Sequence, residues 1–345
     1  MGMITKKHFG QTAKGEDVFL FRLNGAGGAY VEALNYGAIW KTARVPGRNG
    51  DLVDVCLSYD DIRGYESDEN YIGAVIGRYA GRIKAAAFTL GGATYSLQKN
   101  DGENSLHGGA DSFGKRIWDF DAEGGALTLR LHSADGDQGY PGNLDISVTY
   151  SFCENNENNS LTIDYMAKSD RDTPISLTNH AYFNLAGASS GKSAAMAHVL
   201  NVNASTITEV GEDLTETGRL LQVSGAPYDF RTGFAVGERI GAADPQLLIA
   251  GGYDINYVVC GTGLREAATL ASQKSGISLR LMVTNPCLQF YSGNSLLPPF
   301  AQQSALCLEP QSYPDAVNNP AFPSGVLKAG ELYAQRSVYQ FRLLP

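Results

Sequence analysis

Six short stretches of the chain hold groups that could move or bind a proton. In "LCLEPQSYPDAVN", Glu309 ends an apolar run directly before Pro310. Proline biases the preceding residue to extended backbone and removes a ladder donor, so the strand is expected to stop pairing there. An acid among Leu and Cys at such a point should be partly desolvated, which raises its basicity. In "SLTNHAYFNL", His180 sits within an alternating run, and in "NSLHGG", Asn104 and His107 precede paired glycines, so His107 is expected on a tight turn. "GRYAGRI" supplies Arg78 and Arg82. "GGYDINYVV" puts Asp254 opposite the apolar face of Tyr253, Ile255 and Tyr257, and "LQFYSGN" does the same for Gln289 against Leu288 and Phe290. A carboxylate and an imidazole together make a general acid–base couple, because both titrate close enough to neutrality to exchange roles.

Each residue alone also has a structural reading. His180 could be a core histidine bonded to a backbone carbonyl, Glu309 a salt-bridged acid, Arg82 half of a surface pair, His107 a brace for its own loop and Asp254 a turn cap. His132 ends the run "LTLRLH" on its polar side and is expected to be solvated, and His198 is expected to be structural. The run around His180 is less easily dismissed. Ser176, Thr178, His180, Tyr182 and Asn184 share one face, which is polar yet carries no Lys, Arg, Asp or Glu. A face that meets solvent usually shows charge; one that meets a neutral polar ligand needs donors and acceptors instead.

The elements that must position these groups read as strands. Gly91-Gly92 separates two alternating runs in "AAFTLGGATYSLQ", a two-residue hairpin signature. "ISVTYSF" and "LTIDYMA" alternate on either side of "CENNENNS", a second hairpin with a longer loop. "VLNVNAS", "INYVV", "SLRLMVT" and "SVYQFRL" continue the pattern, and short helical turns are expected only near 59–64 and 234–240. No linker-like composition divides the 345 residues and no repeat stands out. The reading is one all-β domain, 1–345, built as a large antiparallel β-sandwich with a concave polar face for a ligand.

Composition narrows the function classes. The net charge is −9 without a basic block, so nucleic acid and anionic membrane are poor partners. "MGMITKKHFG" has no apolar signal segment and is a poor myristoylation match, no apolar run approaches a membrane span, and the five cysteines are widely spaced without CxxC. These features imply reduced thiols and a cytoplasmic location. The two glycosylation-type triplets at 158–160 and 203–205 are then chance matches. "NGAGGAYV" fails as a dinucleotide loop, because Tyr30 takes the third glycine position and no βαβ unit surrounds it. GxxxxGK[ST], HExxH, GxSxG and EF-hand patterns are missing, and the five histidines lack metal-ligand spacing. No cofactor and no metal are expected.

Taken together, "GRYAGRI", "NSLHGG", "TNHAYFNLAG", "GGYDINYVV", "LQFYSGN" and "LCLEPQSYPDAVN" resemble the ordered signature of the aldose 1-epimerase (galactose mutarotase) family. "TITEVGEDLTETGRLLQVSGAPYDF" resembles that family's intervening segment, and the likeness runs from about Thr5 to Phe341. The resemblance implies a supersandwich fold with a polar cleft and interconversion of the α and β anomers of free hexoses such as D-galactose and D-glucose. It implies Glu309 as base on the C1 hydroxyl, His180 as acid at the ring oxygen and His107 as a donor near that oxygen. Arg82, Asp254 and Gln289 would bind hydroxyls, with Tyr182 and Asn104 beside them, on a monomer or homodimer. One departure is Gly81, where many members have Asn; a substrate hydrogen bond is then missing or supplied elsewhere. The rival readings are a hexose-6-phosphate epimerase, which needs an arginine-rich phosphate pocket, a two-carboxylate glycoside hydrolase built on Glu309 and Asp254, and a non-catalytic sugar-binding module.

Overall fold

The computed structural model describes residues 4–155 and 158–345; the Met-Gly start and the middle of the "CENNENNS" turn lie outside the described residues. Three antiparallel sheets dominate. The first is five-stranded and follows the chain in order, Thr5–Gln11, Asp17–Asn24, Tyr30–Leu34, Trp40–Pro46 and Leu52–Asp54. The second has nine strands, with Leu144–Asn155, Asn158–Ser169, Leu332–Leu343 and Ile277–Val283 as consecutive neighbours at its centre. The third has six strands in the order Tyr182–Phe183, Leu306–Gln311, Cys287–Tyr291, Asp254–Val259, Ala204–Val210 and Glu216–Gln222.

The predicted alternation builds the core. Ile146, Val148, Tyr150 and Phe152 pair in register with Ala167, Tyr165, Ile163 and Leu161 and are buried with them. They pack in one cluster with Ile207, Ile255, Tyr257, Leu288, Phe290, Leu306 and Leu308 from the six-stranded sheet. Phe183 of that sheet and Tyr339 of the nine-stranded one have ring centroids 5.9 Å apart, so the two sheets face each other across this layer. The six-stranded sheet therefore has its apolar face committed to the core, and its other face is left to line a cleft.

The Gly91-Gly92 hairpin forms as expected, Ala87–Leu90 against Ala93–Ser96, with φ of +59° and +81° at the two glycines. The second expected hairpin forms as well, its described strands pairing out to Asn155↔Asn158, with the middle of its turn outside the described residues. The expected turns form as a short helix, Ile62–Glu66, capped by Asp61, and a 3-10 turn, Val236–Glu238. Two further short helices, Gly191–Met196 and Pro245–Ala250, were not anticipated, although Asp244 as cap with Pro245 at the first helical position is a legible start signal.

Arg78 settles as a structural residue. It is 2% exposed, and its guanidinium donates to the carbonyls of Pro141, Gly142, Ser133 and Ala134 and to the hydroxyls of Ser133 and Thr173. Burial pushes its guanidinium down to about 10, and Asp137 nearby opposes that fall. Replacing Arg78 with Met should cost about 3 kcal/mol or more in urea unfolding, since several buried acceptors lose charged donors; a loss below about 1 kcal/mol would contradict this role.

Candidate active site

The cleft floor is the free face of the six-stranded sheet. Side chains two residues apart share a strand face, so Glu309 brings Cys307 and Gln311 with it, Gln289 brings Tyr291, and Asp254 brings Asn256. Register aligns Asn256, Gln289 and Glu309 as one row across three strands. Pro310 does not end the strand as expected: Leu306–Gln311 continues to pair, with Pro310 opposite Leu288 and Gln311 opposite Cys287. On the other side Tyr182–Phe183 pairs only with Cys307 and Leu306, so proline's missing N–H falls beyond the partner strand.

The "SLTNHAYFNL" run is broken rather than continuous. Thr178–Asn179 pairs with Val75–Ile76, and Tyr182–Phe183 pairs with the Glu309 strand. His180 lies at the join, where its N–H donates to Ala74 O and its carbonyl accepts from Gly73 N. Every residue from Ser176 to Leu185 is buried, so both faces of the run lack charge because both are interior. Asn184 is structural, donating to the carbonyls of Ser304 and Gly191. His198 is too, holding Leu185 N on Nε2 and Ala194 O on Nδ1. His132 is exposed and bonded to Asp145.

His107 has φ +54° on its tight turn, a conformation that needs outside support. Gly81 supplies it twice: His107 N donates to Gly81 O at 3.1 Å, and Gly81 N donates to His107 Nδ1 at 3.2 Å. The second bond leaves the ring proton on Nε2, so neutral His107 is a donor. The next residue, Gly108, has φ +87°, and a Cβ there would meet Gly77 O at 2.1 Å, which is why glycine follows the histidine.

These elements bring His107, His180 and Glu309 together. One ligand atom from each lies within 4.8 Å of the others, a spacing that would also suit a metal ion. His180 Nε2 is 3.7 Å from Glu309 Oε2, and the two side chains are 6% and 2% exposed. His180 Nδ1 faces Cys307 Sγ at 3.6 Å. The rings of Tyr71, Tyr182 and His107 pack around His180, with centroids 5.9, 5.0 and 5.3 Å away. Burial pushes the Glu309 carboxyl well above its usual range, with Asp254 adding to the effect. Burial pushes His180 down to about 4, and burial also holds His107 well below the ordinary imidazole range, helped by His180 and Arg82.

A cavity of about 250 Å³ opens over these groups. Arg82, Asp254, Gln289 and Tyr182 line it as well. Arg82 Nε donates to Asp101 at 2.6 Å and Nη1 lies 3.8 Å from Asp254; Gln289 Nε2 donates to Asp254 at 2.6 Å. Asn104, expected in the site, is not among the lining residues: its amide accepts from Ala85 N and donates to Asp213 O, stitching loops together. Gly81 lines the cavity without a side chain, and a Cβ there would meet Pro314 at 3.2 Å. Sequence reasoning missed Tyr71, Asp101, Glu216, Asn256, Tyr291, Cys307 and Gln311 at or beside the cleft. The period-two rule could have found Gln311, Cys307, Tyr291 and Asn256 from the residues already named.

Residues 20–340 match the family model described as aldose 1-epimerase. The chain belongs to the aldose 1-epimerase family. It is 35% identical to the galactose mutarotase of Bos taurus over 90% of each chain, and 34% identical to the aldose 1-epimerase of Escherichia coli over 95% of this chain and 96% of that one. Among solved structures, an aldose epimerase homologue from C. elegans superposes with a TM-score of 0.86 at 29% identity, covering 94% of this chain and 98% of that one. Galactose 1-epimerase from Lactobacillus acidophilus gives 0.86 at 26% identity over 99% of both. Like them the chain is mostly β, and no helix among the described residues is long and apolar enough to cross a membrane.

Placing Asn104 outside the cleft has a measurable consequence. Asn104→Ala should lower unfolding free energy by about 1–2 kcal/mol through two lost loop bonds, while D-galactose affinity by calorimetry stays within about threefold. A tenfold loss of affinity with unchanged stability would put Asn104 back in the site.

Proposed function

We propose that this cleft interconverts the α and β anomers of free hexoses, D-galactose and D-glucose among them, by acid–base ring opening and reclosure. The observation that carries the reading is the buried His180–Glu309 contact, 3.7 Å apart at the cavity floor. Ring opening removes the proton from the C1 hydroxyl and delivers one to the ring oxygen as the C1–O5 bond breaks. Glu309 as carboxylate takes the first proton, and His180 as imidazolium gives the second. The products are an open-chain aldehyde, a neutral carboxyl and a neutral imidazole, so charge and protons balance. That neutral pair is the form burial favours. The open chain therefore forms as the pair discharges, and rotation about C1–C2 followed by the reverse transfers gives the other anomer. Each transfer supplies roughly 10²–10⁴-fold.

The neighbours fit these roles. His107 Nε2–H is free to donate toward the ring oxygen and stabilise charge there. Arg82, Asp254 and Gln289 offer a donor, an acceptor and an amide to sugar hydroxyls, and Tyr182 packs against the acid. The cleft draws on residues from Glu69 to Pro314, which supports one domain over 1–345. Free cysteines, two of them exposed at Cys153 and Cys260, support a cytoplasmic protein; a monomer or homodimer would serve equally.

The cleft lining disfavours the phosphorylated alternative. Glu69, Asp101, Glu216, Asp254 and Glu309 line it against the single guanidinium of Arg82, which already faces two acids, while Arg78 is committed to carbonyls. A phosphate dianion would meet acids rather than an arginine cluster. Asp254, engaged by Gln289 and Arg82, is likewise not a free second carboxylate for glycoside hydrolysis.

Polarimetry tests the reading. The protein should speed the rotation change of fresh α-D-galactose and α-D-glucose, and glucose 6-phosphate should react at least tenfold less efficiently. Glu309→Gln should lower kcat by about 10²–10⁴-fold while the protein stays folded. No acceleration over buffer would refute the activity, and near-normal turnover of Glu309→Gln would refute the base assignment.

A further inference from the structure

One buried cleft-lining acid has no part in this mechanism. Glu216 opens the last strand of the six-stranded sheet, Glu216–Gln222, and is 5% exposed. Its Oε1 accepts from Thr208 Oγ1 at 3.0 Å; its Oε2 is buried and has no hydrogen-bond partner among the described residues. A carboxyl oxygen left unpartnered at a cavity wall is costly unless a ligand completes it.

Its surroundings are built. Thr208 Oγ1 accepts from Asn256 Nδ2 at 3.2 Å, and Asn256 Oδ1 accepts from Gln311 Nε2 at 3.1 Å. Gln311 Nε2 also donates to Gln289 Oε1 at 3.2 Å, and Gln289 Nε2 donates to Asp254. The donors run outward from Gln311 to two carboxyls, Asp254 in the middle of the cleft and Glu216 at its end. Since the threonine proton is spent on Oε1, a neutral Glu216 carries its own proton on Oε2 and has no acceptor for it.

Position along the sheet decides what the acceptor is. Glu309 lies on the second strand of six and Glu216 on the sixth. Four strand spacings of about 4.8 Å put their backbones roughly 19 Å apart along a flat sheet; curvature and two long side chains close part of that gap. A sugar with C1 at Glu309 can meet Glu216 only with the carbons most remote from C1. Val210, Leu214 and Pro314 line the same cavity as apolar surface.

We propose that Glu216 is a substrate-recognition residue, which donates a hydrogen bond from its protonated carboxyl to a hexose hydroxyl at C4 or C6 and so selects sugars that carry it. The inference rests on the mutarotase reading above. Burial pushes the Glu216 carboxyl up to about 8, Thr208 opposing and Asp315 and Asp254 reinforcing the rise, with Arg82 opposing it weakly. The charged and titratable groups facing it are Asp254 and Arg82 across the cleft, Asp315 on the loop after the Glu309 strand and Cys287 at the start of the Cys287–Tyr291 strand. Below about pH 8 Glu216 is therefore a donor; above it, it becomes a buried anion beside other acids.

The test is steady-state mutarotation of D-galactose, 4-deoxy- and 6-deoxy-D-galactose by the wild type, Glu216→Ala and Glu216→Gln. Glu216→Ala should raise KM for D-galactose by about 3- to 30-fold with kcat within threefold, the signature of a contact made equally in ground and transition states. One deoxy sugar should show that raised KM already in the wild type and be insensitive to Glu216→Ala, which tells C4 from C6. Glu216→Gln keeps an N–H donor, so its KM should stay within threefold at pH 7 and lose the rise that the wild type shows above about pH 8. A KM penalty equal on all three sugars, an unchanged KM in Glu216→Ala, or an alkaline rise surviving in Glu216→Gln would overturn the proposal. Inactivity of the wild type on D-galactose would overturn the mutarotase reading instead.

Discussion

Two ionisable side chains, both almost fully buried, touch at the floor of the cleft: His180 and Glu309. An isolated charge at such a place is expensive, and a pair of opposite charges is tolerable only with good geometry. At 3.7 Å the contact is too long for a full hydrogen bond and short enough for an ion pair when both groups are charged. In the proposed mechanism the two groups act as a single acid–base unit. With one proton between them they are either carboxyl and imidazole, or carboxylate and imidazolium. Burial tilts the balance toward the neutral form. In the proposed reaction a sugar that gives a proton to one member and takes a proton from the other moves the pair between these two forms, and reclosure moves it back.

The rest of the fold serves that contact. The apolar face of the six-stranded sheet is locked into the core by Leu288, Phe290, Leu306 and Leu308, which fixes where Glu309 projects. His180 comes from a different part of the chain and is held by the backbone of Gly73 and Ala74, then tied to the Glu309 strand by Tyr182↔Cys307. The amide relay centred on Gln311 fixes which way Gln289 and Asn256 point. It therefore sets the donors and acceptors presented along the floor.

Much of this was legible in the sequence, and the reasons differ by feature. Strand periodicity reports burial of one face, so the strands carrying Asp254 and Gln289 and the nine-stranded sheet's central hairpin were readable from alternation alone. Glu309 and His107 were readable because proline and paired glycines flank them. The break at His180 was not, because the run alternates correctly while its two halves pair with different strands. Pro310 misled, since the rule that proline ends pairing holds only where a partner needs its N–H. The resemblance implies Asn104 beside the substrate, yet its amide is spent on the neighbouring loops. Thr208 and Glu216 meet across a turn, and period-two reasoning within one strand cannot join them.

The central claim, that His180 and Glu309 work as a singly protonated pair, is tested most directly by kcat/KM for mutarotation as a function of pH. Activity should be lost on the acid side as His180 gains a second proton for the pair near pH 4, and lost on the alkaline side as the pair gives up its last proton through the raised Glu309 value. Between the acid limit and the Glu216 titration near pH 8 the profile should be flat, with no step at the ordinary imidazole value of 6.5. A fall in kcat/KM centred near pH 6.5 would mean that His180 titrates as an independent acid, and would contradict the account.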